Sequence, residues 1–165
     1  MPSTYEPIAT TTLGSATNTI TFSSISSAYT DLRLVLVVNT GGNGNDVTLR
    51  FNGDTGTNYS NTRLTGSGTA ASSSSLTSQP YATISAGGLS TTIPTMYTVD
   101  VFSYAGSTYK TALGSAQEDK NGSGAVNRSV NLWRSTSAIN SVTFFNPSGN
   151  FNTGTTATIW GIKAA

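Results

Sequence analysis

The chain has 165 residues, a formal net charge of +1 and only 9% charged residues, so it cannot neutralise a row of phosphates and we exclude nucleic acid as a partner. The absence of Cys and His excludes disulfides, the usual zinc sites, thiol nucleophiles and imidazole bases. A chain of this length forms one domain with a buried core, which we assign to residues 1–165.

Small polar residues dominate the composition. Ser, Thr, Asn and Gly together number 84, which is about half of the chain, and Thr (29) outnumbers Ser (24). Thr suits pleated sheets, whereas strong helix formers are scarce. Eight to eleven extended segments separated by turns predict an all-β, antiparallel sandwich or barrel. The N-terminus lacks the features of a signal peptide and no run is long enough to cross a bilayer, so we expect a protein made in the cytoplasm with no membrane partner.

The first two elements in chain order are an arm and a strand. Residues 1–7 contain two prolines, which predict an extended arm that is either loose or docked on a neighbouring subunit. Asp31 to Asn39 alternates Leu32, Leu34 and Leu36 with side chains that are also mostly apolar. A run that is apolar on both faces predicts a central strand covered on both sides.

The stretch from Asp46 to Ala70 carries several charged residues in a chain that has little charge. Apolar and polar residues alternate before Asn52, a Gly- and Asn-rich turn follows, and a Thr-rich extended run begins at Tyr59. This pattern predicts a β-hairpin with a long polar tip. Arg50 and Arg63 lie on its arms and Asp54 on its tip, so we interpret these three as a charged cluster that pairs across the tip or meets a neighbouring subunit.

The segment from Thr65 to Gln79 has low complexity and includes four consecutive serines. Its composition cannot bury enough apolar surface to order itself, so it predicts a mobile loop or a segment ordered by a partner. Further along, alternating patterns predict strands at Met96–Tyr104, Val126–Arg134 and Thr155–Ile162.

Catalytic chemistry would have to depend on carboxylates, Lys, Tyr or Ser. Glu118 and Asp119 are adjacent, so on a strand they would point to opposite faces and could not form a glycosidase pair. Lys110 has no apolar neighbours in sequence that would depress the pKa of its amine. The tip at Asp54 has oxygen ligands at alternating positions, but a single carboxylate makes it a poor calcium loop. We predict a non-enzyme with no catalytic residues, no cofactor and no metal.

Trp133 and Trp160 both lie on predicted strands, and we expect at least one of them to pack in the core. Trp133 precedes Arg134 at a strand end, which makes this pair a candidate interface or, for the indole, a platform for a sugar. The sequence leaves these alternatives open.

Three blocks resemble a family of small structural proteins from tailed bacteriophages, including phages of cyanobacteria and other marine hosts. They are Leu49–Gly68, Leu132–Thr143 and Ser148–Ile162, and together they cover under a third of the chain. The resemblance implies a virion component with a jelly-roll β-sandwich, located on the capsid as a decoration or cement protein or on the tail as a fibre piece. It implies no catalytic residues.

Two hypotheses of function follow from the resemblance. The first is a cement protein that binds the major capsid protein on the capsid surface, bridges capsomers and forms a homotrimer, after synthesis in the host cytoplasm. Its candidate interface residues are Tyr5, Glu6, Arg50, Asp54, Arg63, Trp133 and Arg134. The alternative is a tail-fibre or receptor-binding module that recognises host-surface glycans through Tyr59, Trp133 or nearby loops.

Overall fold

The computed structural model describes residues 4–39, 46–84 and 92–163. Within these ranges the chain forms twelve strands, and no helix is long and apolar enough to cross a membrane. The strands are β1 (Tyr5–Thr12), β2 (Thr19–Phe22), β3 (Asp31–Val38), β4 (Thr48–Phe51), β5 (Tyr59–Gly66), β6 (Ala71–Gln79), β7 (Ala82–Thr83), β8 (Thr95–Phe102), β9 (Lys110–Glu118), β10 (Ala125–Trp133), β11 (Val142–Phe145) and β12 (Thr156–Ile162).

The strands form two antiparallel sheets around one core. The larger sheet has eight strands in the order β1-β12-β3-β8-β9-β10-β5-β6, and the smaller has four in the order β2-β11-β4-β7. Side chains from both sheets, such as Leu34 and Phe144, meet in a single buried cluster. The predicted all-β antiparallel sandwich is therefore confirmed, with twelve strands where the sequence predicted eight to eleven.

The period-two pattern of the central strands explains which side chains fill the core. Leu32, Leu34 and Leu36 of β3 are fully buried, and so are Val99 and Val101 on the neighbouring strand β8. Because successive side chains of a strand point to opposite faces, the residues that alternate with these buried ones, such as Val35 and Asp100, face away from the smaller sheet. β3 lies between β12 and β8 and is a central strand as predicted, but only one of its faces is fully covered.

The stretch Asp46–Ala70 is not a hairpin, and that prediction is wrong. β4 pairs with β11 and β7 in the smaller sheet, whereas β5 pairs with β10 and β6 in the larger one. Asn52 and Gly53 turn the chain with φ angles of 53° and 65°, and the amide of Asp54 donates to the carbonyl of Phe51 at 2.9 Å. The turn therefore carries the chain from one sheet to the other.

The described part of the N-terminal segment is extended, as predicted, but it is neither loose nor an arm that leaves the domain. Tyr5, Glu6 and Pro7 belong to β1 and pair with Ile162, Gly161 and Trp160 of β12. Residues 1–3 lie outside the described ranges.

The low-complexity segment Thr65–Gln79 is ordered, against the prediction of a mobile loop. It contains the end of β5, a turn and the nine-residue strand β6, which pairs with β5 at the edge of the larger sheet. Nearly all β6 side chains are exposed, so backbone pairing rather than burial holds this strand in place.

Gly161 offers a direct test of packing against β12. A Cβ atom at this position would lie 2.3 Å from Cδ1 of the Tyr29 ring. We expect Gly161→Ala to lower the free energy of unfolding by about 1–3 kcal/mol, because the ring must move out of a packed site. Urea denaturation measures the change. Gly66→Ala on β5 is the matched control, because a Cβ there meets nothing within 4 Å; equal losses in both variants would contradict this account.

Candidate interaction surface

The face of the larger sheet that points away from the smaller sheet, here called the outer face, exposes large apolar side chains. Leu64 and Val126 are 56% and 55% exposed. We define the outer cluster as five residues of β5, β8, β9 and β10: Leu64, Phe102, Leu113, Val126 and Val130. An exposed apolar group of this kind in a folded chain is typical of a contact site for another molecule.

The strand register places Arg128 at the centre of this cluster. Leu113 of β9 lies opposite Val130 of β10, and Leu64 of β5 lies opposite Arg128. Val126 and Val130 are two residues before and after Arg128 on the same strand, so all three side chains point to the same face. Arg128 is exposed among these apolar neighbours.

The pattern of β10 is the reverse of an ordinary half-buried strand. Asn127, Ser129 and Asn131 point inward and are at most 5% exposed, whereas Val126 and Val130 point outward. Asn131 Nδ2 donates to Ser129 Oγ at 3.2 Å, but Asn131 Oδ1 accepts no hydrogen bond from a described protein group. A buried acceptor without a partner costs about 1–3 kcal/mol. The inward face of β10 therefore carries small polar side chains, while the valines of the same strand are exposed at the surface.

A shallow groove of about 340 Å³ runs across the cluster. Leu64, Leu113 and Val130 line it together with Arg63 and Arg128. The three ion pairs found among the described residues, which are Arg33 with Asp100, Lys120 with Glu118 and Lys163 with Glu6, include neither groove arginine. The groove therefore combines apolar walls with the guanidinium of Arg128, which can bind a carboxylate of a partner, whereas Arg63 pairs with the inward-pointing Ser129 and directs its side chain to the other face.

Arg63 is the one predicted interface residue that borders this groove, but its side chain points to the other face of the sheet, and Arg128 was not among the predicted residues. The signal that identifies Arg128 was present in the sequence. Val126, Val130 and Leu132 share its side of the predicted strand, whereas Asn and Ser occupy most of the other side. In the folded protein this apolar side of β10 faces outward, which the sequence alone does not indicate.

Tyr5 and Glu6 lie at the opposite edge of the larger sheet, on β1. The Tyr5 ring centroid is 6.3 Å from that of Trp160, and Lys163 Nζ is 2.8 Å from Glu6 Oε1. The hydrogen bond from Lys163 lowers the pKa of the Glu6 carboxyl below its usual value. Glu6 therefore forms an ion pair within the chain.

Arg50 does not join Arg63 and Asp54, so the predicted charged cluster is wrong. Arg50 lies on β4 of the smaller sheet, where its guanidinium is 4.3 Å from the centroid of the Phe145 ring. Its Nε also donates to the carbonyl of Pro80 at 3.3 Å. Arg63 lies on β5 of the other sheet, and the Asp54 carboxylate is bonded instead to Trp133 and Asn58.

Trp133 is a core residue and not a surface platform, which corrects its predicted interface role. It is 3% exposed, and its ring centroid is 5.6 Å from that of Phe51 and 6.2 Å from that of Tyr59. Its Nε1 donates to Asp54 Oδ2 at 2.6 Å. Asp54 also accepts from Asn58 Nδ2 at 3.0 Å, so its carboxylate holds the turn to the core.

The two remaining candidates of this region are also used within the chain. Tyr59 is fully buried, its hydroxyl accepts from the amide of Phe51 at 3.0 Å, and burial raises the pKa of this phenol. Arg134 donates from a terminal guanidinium nitrogen to the carbonyl of Thr57 at 2.5 Å. Tyr59 therefore presents no sugar-binding surface, whereas Arg134 is partly exposed and its interface role remains a prediction.

The pKa of Asp54 predicts acid sensitivity of this turn. Burial tends to raise the pKa, but hydrogen bonds from Trp133, Asn58 and the amide of Gly56 outweigh it and hold the pKa below the ordinary value of 3.8. A lowered folded-state pKa contributes stability that is complete above the unfolded value and is lost as the pH falls through the folded value. We expect wild type to have a higher free energy of unfolding than Asp54→Asn at neutral pH. This difference in free energy should become smaller as the pH falls below 3.8.

Urea denaturation from about pH 7 to about pH 2 measures this gap. Asp119→Asn is the matched control, because Asp119 lies in an exposed turn. A gap between wild type and Asp54→Asn that stays constant over this range would contradict the assignment.

Lys110 is buried, which the sequence did not indicate. Its Nζ donates to the carbonyl of Gly106 at 2.7 Å and to that of Thr108, and desolvation lowers the pKa of the amine. These hydrogen bonds fix the loop before β9, so Lys110 stabilises the fold. Within the described ranges no group of three or more His, Cys, Asp or Glu side chains could hold a metal ion.

Comparison of the chain with known proteins identifies no relative. No protein-family model matches it, and neither the curated proteins nor the solved structures give a match. A proposal of function therefore depends on the outer face and on the sequence blocks of the chain itself.

Proposed function

We propose that the chain is a non-enzymatic structural protein of a bacteriophage virion, a capsid decoration or cement protein that binds the major capsid protein and stabilises the contacts between capsomers. The observation that carries the proposal is the outer cluster around Arg128, an exposed apolar surface on a rigid sheet. The three sequence blocks that resemble tailed-phage structural proteins supply the virion context.

The composition of the outer cluster supports attachment to a protein. Interface cores are enriched in apolar residues and Arg and depleted in Lys, Glu and Asp. A few such residues usually contribute most of the binding free energy, about 2 kcal/mol or more each. Arg128 among Leu64, Val126 and Val130 fits this description, because an apolar partner surface with one carboxylate would satisfy all four residues.

We also interpret the strand order as a jelly roll with additions. The order β1-β12-β3-β8 opposite β2-β11-β4-β7 is that of two interleaved Greek keys, in which consecutive strands of this set alternate between the sheets except for β4 and β7, which pair with each other. The pairs β5-β6 and β9-β10 extend the larger sheet beyond β8. Four of the five outer-cluster residues lie on β5, β9 and β10, so the added strands carry most of the proposed attachment surface.

The alternative proposal is a tail module that binds host glycans. Tyr59 and Trp133, which were predicted to contact the glycan, are buried and cannot do so. It would have to use Trp160 and Tyr5 near the β1 edge of the larger sheet. The predicted homotrimer remains a prediction.

The copy number in purified virions tests the proposal. Quantitative mass spectrometry of virions from the phage that encodes this chain gives its ratio to the major capsid protein. A decoration protein is present in hundreds of copies. A handful of copies would overturn the capsid proposal in favour of the tail, and absence from virions would overturn both.

A further inference from the structure

The two edges of the larger sheet differ in how they are protected against pairing with another strand. At β1, Pro7 lacks an amide hydrogen, Glu6 is charged and the register shifts between Pro7 and Ala9. Prolines, charges and bulges are the usual devices that protect an edge strand. At β6, the run from Ala71 to Thr77 contains no charge, no proline and no register shift.

β6 also leaves its outer edge without a strand. It pairs with β5 along one edge, and no other described strand pairs with it. Its residues from Ala71 to Ser78 are exposed on both faces. Among the described residues no strand covers the backbone groups of this outer edge, which are therefore open to a strand from another chain.

We propose that β6 pairs antiparallel with β6 of a second copy of this chain about a two-fold axis, which joins the two eight-stranded sheets into one. The regular run ends at Thr77, because Ser78 has a φ of 54° and the pairing with β5 shifts register between Tyr59 and Asn61. Ser74 is the centre of the run Ala71–Thr77. In the full-length register Ser74 therefore faces Ser74 of the second copy, and Ser72 faces Leu76.

The chemistry of β6 favours a second copy over a foreign peptide. Recognition of a peptide by strand addition takes its specificity from pockets for side chains, and the pockets that Ser73 and Ser75 line extend toward β5 and β10, away from the outer edge. A second β6 is already ordered on its own β5, so pairing loses little conformational entropy. The two-fold arrangement also makes each edge the partner of an identical edge, as an isologous interface requires.

Electrostatic repulsion does not oppose this pairing. The nearest charged residue is Arg63 of β5, which lies directly opposite Ser74. In the joined sheet the two Arg63 residues would be three strand spacings apart, about 14 Å. This separation exceeds the Debye length of about 8 Å at physiological ionic strength. The inference is independent of the proposed virion function.

The oligomeric state of the full chain tests the proposal. Light scattering during size-exclusion chromatography should show a dimer of the 17.0 kDa chain that dissociates on dilution. Ser74→Glu should raise the dimer dissociation constant about tenfold or more, because the two carboxylates would face each other across the axis. Within each chain the new carboxylate lies beside Arg63, so the fold should tolerate it. Ser137→Glu in an exposed loop is the matched control.

Disulfide cross-linking gives a second measurement, since the chain has no cysteine. Ser74→Cys should form an inter-chain disulfide about tenfold faster than Ser15→Cys in an exposed loop, because facing residues of an antiparallel pair lie within disulfide range. Ser72→Cys, displaced along the strand, should be slow. A monomer at all concentrations, a trimer as the only assembly, equal cross-linking at Ser74 and Ser15, or a monomer whose β6 binds only an added extended peptide would each overturn the proposal.

Discussion

Trp133→Ala is expected to lower the free energy of unfolding by about 3–5 kcal/mol, the usual range for removal of a buried aromatic side chain. The substitution would leave a cavity between Phe51 and Tyr59 and would deprive the Asp54 carboxylate of its shortest hydrogen bond. Because total stability is about 5–15 kcal/mol, this loss would be a large fraction of it. Urea denaturation followed by far-UV circular dichroism measures the change without depending on indole fluorescence.

Two further variants separate the contributions of the indole. Trp133→Phe keeps an aromatic ring but removes the donor to Asp54, so we expect a smaller loss of about 1–3 kcal/mol. Trp160→Ala is the matched control on the outer face, where the partly exposed indole should be worth about 1 kcal/mol. If Trp133→Ala were no more destabilising than Trp160→Ala, the core role of Trp133 would be wrong.

The double variant Leu64→Glu/Val130→Glu is expected to weaken binding to capsids by about 100-fold or more, since each position is worth about 2 kcal/mol in an interface core. Both side chains lie beside Arg128, so the new carboxylates have a cation nearby in the free protein. We therefore expect the thermal midpoint of the isolated variant to stay close to that of wild type.

The measurement uses virions whose decoration gene has been deleted, to which purified protein is added and sedimented with the particles. Tyr109→Glu is the control, because Tyr109 is an exposed apolar residue in the loop before β9, outside the outer cluster. Wild-type binding by the double variant would contradict the assignment of the surface. Loss of binding by Tyr109→Glu as well would indicate a general effect of added negative charge.

The sequence predicts well where alternation of apolar and polar residues is strong. The buried side chains of β3 and β8 are those that period two selects, because one face of each strand is strongly apolar. Pairing between strands was harder to predict. Phe51 and Tyr59 are eight positions apart, and a local hairpin was the simplest prediction, but β4 pairs with β11 from far along the chain. Turn residues such as Asn52 specify that the chain reverses, not which sheet it enters.

β6 and β10 show two other limits of sequence reasoning. The serines of β6 bury almost nothing, so no hydrophobic pattern marks this strand, and it is held by pairing with β5. In β10 the sequence shows the alternation of apolar and polar residues, but it does not show which of the two sides faces the core. Asn127 and Asn131 point inward because the partner strands fix the register, and this places Arg128 and the valines outside. The outer cluster could therefore be recognised only once the sheet was assembled.

The outer-face interpretation also accounts for a feature of β3. Its second face, which includes Val35 and Val37, is apolar enough to predict cover on both sides, yet these residues are only partly buried in the isolated chain. Cover by a partner on the outer face would complete the environment that this sequence predicts.

Thiol accessibility on assembled particles tests the central claim most directly. Thr62→Cys lies beside the outer cluster, opposite Val130, and leaves the five cluster residues unchanged. Thr19→Cys lies on the exposed face of the smaller sheet. We predict that a maleimide labels both thiols in the isolated protein, and that only the Thr19→Cys thiol remains reactive when the protein is bound to capsids. Equal labelling of the Thr62→Cys thiol in the free and bound protein would contradict attachment through the outer face.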